Sequence, residues 1–204
     1  MRENQDRHSD QGSGSYRRTG ALWLAGGLLW VTAGAVGSDL HGWRFDSAEA
    51  LWIIADLLLL AGLVDLRRLG AHGPGRLGNV GMAIAVIGRL VFVAAELVSL
   101  VQRSDENALY PIAALLSAAG MLAYGVSVVR AGVWHGPSRF GPLAMGLYPF
   151  LVMFPLVAAD NGNPSVPAIA AWGLVGAVSV GLATLAAAGR SSWTSAPPAS
   201  ALAN

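Results

Sequence analysis

Three ionisable side chains, Asp56, Arg89 and Glu96, sit inside long apolar runs of the sequence. Where such runs cross a bilayer, a charge near the centre costs about 2.5–3.5 kcal/mol on insertion scales, so each charge needs a partner, a hydrated cavity or a proton. The runs holding Asp56 and Arg89 are antiparallel through a turn centred near residues 73–74. Reflecting position 56 about that turn gives about position 91, so at about 1.5 Å per residue Asp56 and Arg89 fall within about 3 Å of each other in depth. The spacing predicts an interhelical ion pair. Glu96 follows Arg89 by seven residues, on the same helix face but about 10 Å further along the axis, and is not expected to partner it. In dry surroundings Glu96 would keep its proton, because desolvation disfavours the carboxylate. Tyr148, next to Pro149 in a later run, joins these three as an intramembrane polar candidate.

Two readings of this set stay open. In one, Asp56, Arg89 and Glu96 line a polar path for a proton or an ionic solute. In the other, Asp56 and Arg89 neutralise each other and fix the register of two helices, which leaves Glu96 as the loose group. A buried ion pair specifies geometry in some systems while adding little net stability.

A second grouping lies between the runs. His72 and His135 accompany Arg67, Arg68, Arg76, Arg130 and Arg139 in two connections, where they could contact a phosphate or a lipid headgroup. Arginine at the cytoplasmic end of a span is also what membrane topology selects, with no ligand involved. Asp65, within a turn of Arg67 and Arg68, can reach the interface by extending along the helix.

Other chemistry is excluded by composition. The chain has no cysteine, so thiolate metal sites, disulfides and thiol nucleophiles are impossible. All thirteen basic residues are arginine, which removes Schiff-base and Walker lysines. The four histidines, His8, His41, His72 and His135, all fall in tails or loops, so an intramembrane b-type haem with bis-histidine ligation is excluded. His-x-x-x-His and Gly-x-Ser-x-Gly are missing. Ser99, Ser117, Ser127 and Ser179 have no general base within readable reach. The expectation is a protein that is not an enzyme and that carries no cofactor and no metal.

The elements that position these residues follow from hydropathy. Of 204 residues, 54% are hydrophobic and 12% charged, against roughly 25% charged in soluble domains. Soluble, disordered and collagen-like classes are thereby excluded. A hydrocarbon core of about 30 Å needs about 20 residues of helix, and six stretches qualify: 20–37, 48–67, 79–101, 109–130, 141–159 and 166–188. The runs are continuous rather than alternating, which favours helices over a barrel. The predicted fold class is an all-α integral membrane protein, a bundle of six transmembrane helices spanning residues 20–190. Residues 1–19 and 191–204 read as disordered cytoplasmic tails. Asp46 and Glu49 are spaced like a capping box at the start of the second span. Pro149 and Pro155 predict an interrupted fifth span. Gly173, Ala177 and Gly181 form a stripe of small residues suited to close helix packing. Trp43, Trp52 and Trp134 fit interfacial belts.

Orientation follows from arginine counting. Arg2, Arg7, Arg17, Arg18, Arg67, Arg68, Arg76, Arg130, Arg139 and Arg190 lie on the side of the N-terminus, whereas the opposite loops hold only Arg44 and Arg103. Ten against two places both termini in the cytoplasm of a cell membrane protein. The two longer cytoplasmic connections also resemble each other: His72-Gly73-Pro74-Gly75-Arg76-Leu77-Gly78 aligns with His135-Gly136-Pro137-Ser138-Arg139-Phe140-Gly141 at an offset of 63. The same offset places Gly62 on Gly125, Arg67 on Arg130 and Met82 on Met145. The match suggests three parallel two-helix repeats, although Gly-Pro is a common turn dipeptide and convergence on one loop solution would give part of it.

Two functions are compatible with these residues. One is a non-catalytic accessory, sensor or scaffold protein that works through helix packing. The other is a small transporter or channel for a proton or small solute near Asp56, Arg89 and Glu96. The expected partners are the lipid bilayer and other membrane proteins, including copies of this chain, with no nucleic acid.

Overall fold

The computed structural model describes the backbone over residues 2–36, 43–104, 107–159 and 166–194, and side chains over 14–36, 43–104, 107–159 and 168–188. The described residues are all-helical apart from short turns. Four long helices, α1 (Arg2–Val36), α2 (Trp43–Arg68), α3 (Arg76–Gln102) and α4 (Leu109–Ala131), precede two interrupted ones. Six segments are long and apolar enough to cross a membrane: Gly14–Val36, Trp43–Arg68, Arg76–Gln102, Leu109–Ala131, Gly136–Ala159 and Ala168–Ala188. Each overlaps one of the six runs read from the sequence. The last two are called the fifth and sixth segments below.

The helices form a ring in chain order, each packing on the next, and the sixth segment returns to α1 to close it. Short connections make sequential helices antiparallel neighbours, so ring order follows chain order. The interior is aromatic: Trp30 of α1, Phe92 of α3 and Trp172 of the sixth segment meet at centroid separations of 5.3–5.9 Å. The outside is apolar as well, with Ile54, Leu57, Leu90, Leu97, Leu115 and Leu182 exposed.

Small residues set most of the seams. A Cβ at Gly120 of α4 would stand 2.3 Å from the Ala85 backbone nitrogen of α3, and one at Gly88 would stand 2.5 Å from Ser117. Gly146 of the fifth segment meets the Leu122 backbone of α4 in the same way. The stripe Gly173, Ala177 and Gly181 lies against Gly20, Gly27 and Leu24 of α1, as close packing of small residues requires. Gly26 and Gly62 make the contact between α1 and α2, against Leu59 and Trp23. The seam between α2 and α3 differs, since no described glycine has its nearest neighbours across it.

The two late segments change helix type midway. The fifth opens with a 3-10 turn (Gly136–Phe140), continues as α-helix (Gly141–Tyr148), widens to π-helix (Pro149–Met153) and closes as α-helix (Phe154–Ala159). Pro155 has no N–H to give Leu151, and Phe154 donates instead to Pro149, five residues back. The sixth widens over Trp172–Ala177, where the Val178 N–H reaches Gly173. Such insertions recur at functional sites, and this one lies beside the Trp172 ring in the interior.

Several local expectations are corrected. The chain is already helical at Trp43, so Asp46 and Glu49 lie within α2 rather than forming its cap, and Glu49 is buried. Trp134 is buried in the core, whereas Trp43 is 72% exposed. Helix α1 is continuous through residues 14–19, where Thr19 is buried with its hydroxyl donating to the Ser15 carbonyl. Asp39, His41 and Asp160, and residues 195–204, lie outside the described residues.

The matched connections are alike in one respect and unlike in another. Gly73 and Gly136 both hold φ of 65°, a left-handed turn that glycine adopts without Cβ strain. The neighbouring histidines diverge. His72 is buried against the Tyr124 ring at 5.5 Å and beneath Gly78, whereas His135 is exposed. Gly62 and Gly125 also differ in partner, the first facing Trp23 of α1 and the second the Leu143 backbone of the fifth segment.

Candidate functional site

The site begins at the α2–α3 seam. Arg89 Nη1 lies 2.5 Å from Asp56 Oδ1, and the two side chains are only 3% and 0% exposed. The interhelical pair read from the sequence is present. Its register follows from antiparallel helices joined by a short turn, which brings positions 56 and 89 to one level. The Trp30 indole of α1 donates to the same Asp56 oxygen at 2.9 Å. Three elements therefore converge on one carboxylate.

Around the guanidinium stand three aromatic rings. The Arg89 Cζ is 5.7 Å from the centroid of Trp30, 5.3 Å from Phe92 and 4.9 Å from Trp172. Ring faces carry negative quadrupole density, so they substitute for part of the hydration that a buried cation loses. The arrangement is a charged centre closed by aromatic walls.

Glu96 joins this centre. Its carboxyl lies within hydrogen-bonding reach of Asp56 and near Glu49 and Arg89. Arg89 makes its ion pair with Asp56, and the neighbour that the sequence did not suggest for Glu96 is Asp56. The reflection of Asp56 falls between positions 89 and 96, so one carboxyl of α2 touches side chains from two levels of α3. Beyond Glu96 the polar line continues towards the helix ends. The Tyr110 hydroxyl of α4 donates to Glu49 Oε2 at 3.4 Å, and Ser99 stands beside Tyr110. Glu49, Asp56, Arg89, Glu96 and Ser99 are all at most 2% exposed. Above them the Asn107 amide folds back to donate to the Ala95 carbonyl at 3.0 Å.

Tyr148 does not share a described contact with this group. It is half-buried, and its hydroxyl donates to the Ala168 carbonyl at 3.2 Å, tying the fifth segment to the sixth. Its side chain acts there as a fastener between helices.

The basic residues at the other end are scattered rather than convergent. Arg67, Arg68, Arg76 and Arg130 are exposed, and Arg139 is half-buried with its guanidinium 4.8 Å from the Phe140 ring. His72 turns inward and cannot present its ring to a headgroup, because Gly78 leaves room for it beneath α3 and Tyr124 receives it. Asp65 is bound by Arg18 through two bonds, at 2.7 and 2.8 Å, and by Arg68 at 3.3 Å. A surface cavity of about 360 Å³ lies beside that cluster, lined among others by Ser15, Arg18, Asp65 and Arg68. Among the described residues no group of three or more histidine or acidic side chains is arranged to hold a metal ion.

Glu49, Trp30, Trp172, Tyr110 and Arg18 were not singled out in the sequence as site residues. One signal for Glu49 was present: it precedes Asp56 by seven residues, as Arg89 precedes Glu96 by seven. In antiparallel helices two such pairs fall on facing stripes, which places 49 opposite 96 and 56 opposite 89. Comparison with known proteins adds no relative: no family model matches the chain, and neither the curated proteins nor the solved structures give a match.

Proposed function

We propose that the chain is a multi-pass cell membrane protein without catalytic activity, acting through helix packing as an accessory, sensor or scaffold component. Membrane insertion is supported by six long apolar helices whose outward side chains are themselves apolar. Soluble monomers do not display such a surface over their whole girdle. The arginine bias gives both termini to the cytoplasm, which puts the Glu49, Tyr110 and Asn107 end of the bundle on the outer side. The partners are the bilayer and other membrane proteins, a second copy of this chain among them. The ring order and the shared turn at Gly73 and Gly136 favour three parallel two-helix repeats, with the loops since diverged.

The observation that carries the packing role is the Asp56–Arg89 pair. Each member is almost fully buried, the pair is walled by Trp30, Phe92 and Trp172, and it joins the seam that small residues do not close. A charge pair held from three helices in this way supports a role in fixing their register.

A transporter or channel for a proton or small solute is the second reading. The buried line from Arg89 through Asp56 and Glu96 to Glu49 and Tyr110 favours it. Flux separates the two. Purified protein in liposomes containing a pH-sensitive dye should pass protons no faster than empty liposomes under an imposed gradient. A protein-dependent flux abolished by Glu96→Gln would overturn the packing role in favour of transport. Orientation has its own check: reporter fusions at Ser104 and Arg190 should report opposite compartments, with Ser104 outside. A shared compartment would refute the six-span topology.

A further inference from the structure

We infer that Asp56 and Glu96 together form a binding site for one proton, carried by Glu96 and shared with the second oxygen of Asp56. The inference rests on charge, contact and satisfaction. The two carboxyls lie within hydrogen-bonding reach of each other, and both side chains are buried. Two carboxylates in contact cannot both be ionised in a medium of low dielectric, and such pairs hold a common proton. Arg89 compensates one charge and commits to Asp56 Oδ1, which also receives the Trp30 N–H.

The remaining oxygens show where the proton belongs. Asp56 Oδ2 and Glu96 Oε2 are both buried and neither receives a hydrogen bond from any described donor. A buried acceptor left in that condition costs about 1–3 kcal/mol. One proton on Glu96, donated to Asp56, makes the Glu96 carboxyl neutral and gives the second Asp56 oxygen its partner. The charge of these three groups then sums to zero, with Arg89 positive, Asp56 negative and Glu96 neutral; Glu49 lies outside this sum, its Oε2 accepting from the Tyr110 hydroxyl.

The groups facing Glu96 from each neighbouring element are consistent with this. Helix α2 contributes Asp56 and Glu49, α3 contributes Arg89, and α4 contributes Tyr110, which Ser99 of α3 adjoins. From α1 comes Trp30 and from the sixth segment Trp172, both neutral, the former on Asp56 and the latter over Arg89. The Ser99 hydroxyl is fully buried, has no described partner and stands beside Tyr110. Glu49, Tyr110 and Ser99 thus extend the site towards the ends of α2, α3 and α4, the route by which water can supply or remove the proton. Loss of that proton leaves two adjacent buried carboxylates and pushes α2 away from α3, so occupancy of the site is coupled to the bundle. This deepens the sensor reading above by naming its ligand, and its readout needs neither a partner nor transport.

Infrared difference spectroscopy on the full chain in lipid nanodiscs tests the site directly. At neutral pH the wild type should show the C=O stretch of a protonated carboxyl that downshifts in heavy water and disappears at strongly alkaline pH. Glu96→Gln should abolish that band, Glu49→Gln should retain it, and Glu96→Asp should shift it. The Asp variant keeps a titratable carboxyl should the Gln variant fail to fold. Absence of the band in the wild type at neutral pH would overturn the proposal. So would its survival in Glu96→Gln, its loss in Glu49→Gln alone, or its removal by sodium ions at constant pH, which would make the ligand a metal cation.

Discussion

Arg89 of α3 and Asp56 of α2 are paired across the one seam between neighbouring helices to which no described glycine gives its closest contacts. Elsewhere backbones approach through small residues, and dispersion between closely packed surfaces holds the helices together. At this seam an ion pair sets the register instead. The partners are held from three sides, by Trp30, Phe92 and Trp172, so neither can turn away to another group.

Removing one member of the pair should therefore damage the fold much more than removing both. Arg89→Gln leaves a buried Asp56 carboxylate without its cation, and about 3–5 kcal/mol of stability should be lost. Asp56→Asn with Arg89→Gln removes both charges together and should recover a large part of that loss. Thermal unfolding in detergent of the two single variants and the double variant measures the coupling. Equal and additive losses in the single variants would show that the pair does not act as a unit.

The pair was legible in the sequence because it depends on two regular quantities, helix rise and antiparallel reflection. The proximity of Glu96 to Asp56 was not legible, because the reflection gives depth along the axis but not the reach of a side chain. Glu49 was hidden by a plausible capping pattern, which holds only if the helix starts at Asp46; the chain is already helical at Trp43. His72 and His135 occupy matching places in two similar loops, yet one is buried and the other exposed. What separates them is the neighbour each meets, here Gly78 and Tyr124 for His72, and a local motif carries no information about that. Arg18 read as one more topogenic arginine, and only the packing of α1 on α2 makes it the clamp on Asp65.

Trp30 offers a milder perturbation of the same centre. Trp30→Phe keeps an aromatic ring near Arg89 but removes the N–H that Asp56 Oδ1 accepts at 2.9 Å. A hydrogen bond to a charged group contributes about 1.5–3 kcal/mol, and a loss in that range is expected. Made in the Asp56→Asn, Arg89→Gln background, the same change should cost less, because the charged acceptor is gone. Equal losses in both backgrounds would mean that Trp30 contributes through ring packing alone.

The glycine seams predict a graded series that depends on what an added methyl meets. At Gly120 it would stand 2.3 Å from the Ala85 backbone nitrogen and 2.7 Å from the Gly81 carbonyl oxygen. Backbone cannot rotate aside, so Gly120→Ala must push α3 and α4 apart, at about 1–3 kcal/mol or more. At Gly176 the closest atom is Met145 Cγ at 3.1 Å, part of a flexible side chain that can give way, so Gly176→Ala should lose less. At Gly14 nothing lies within 4 Å, and alanine there should be neutral or raise stability by up to about 1 kcal/mol through helix propensity. Thermal unfolding of the three purified variants in one detergent orders them. The expected order of loss is Gly120→Ala, then Gly176→Ala, then Gly14→Ala. A Gly120→Ala protein as stable as the wild type would show that α3 and α4 do not approach as closely as their glycines permit.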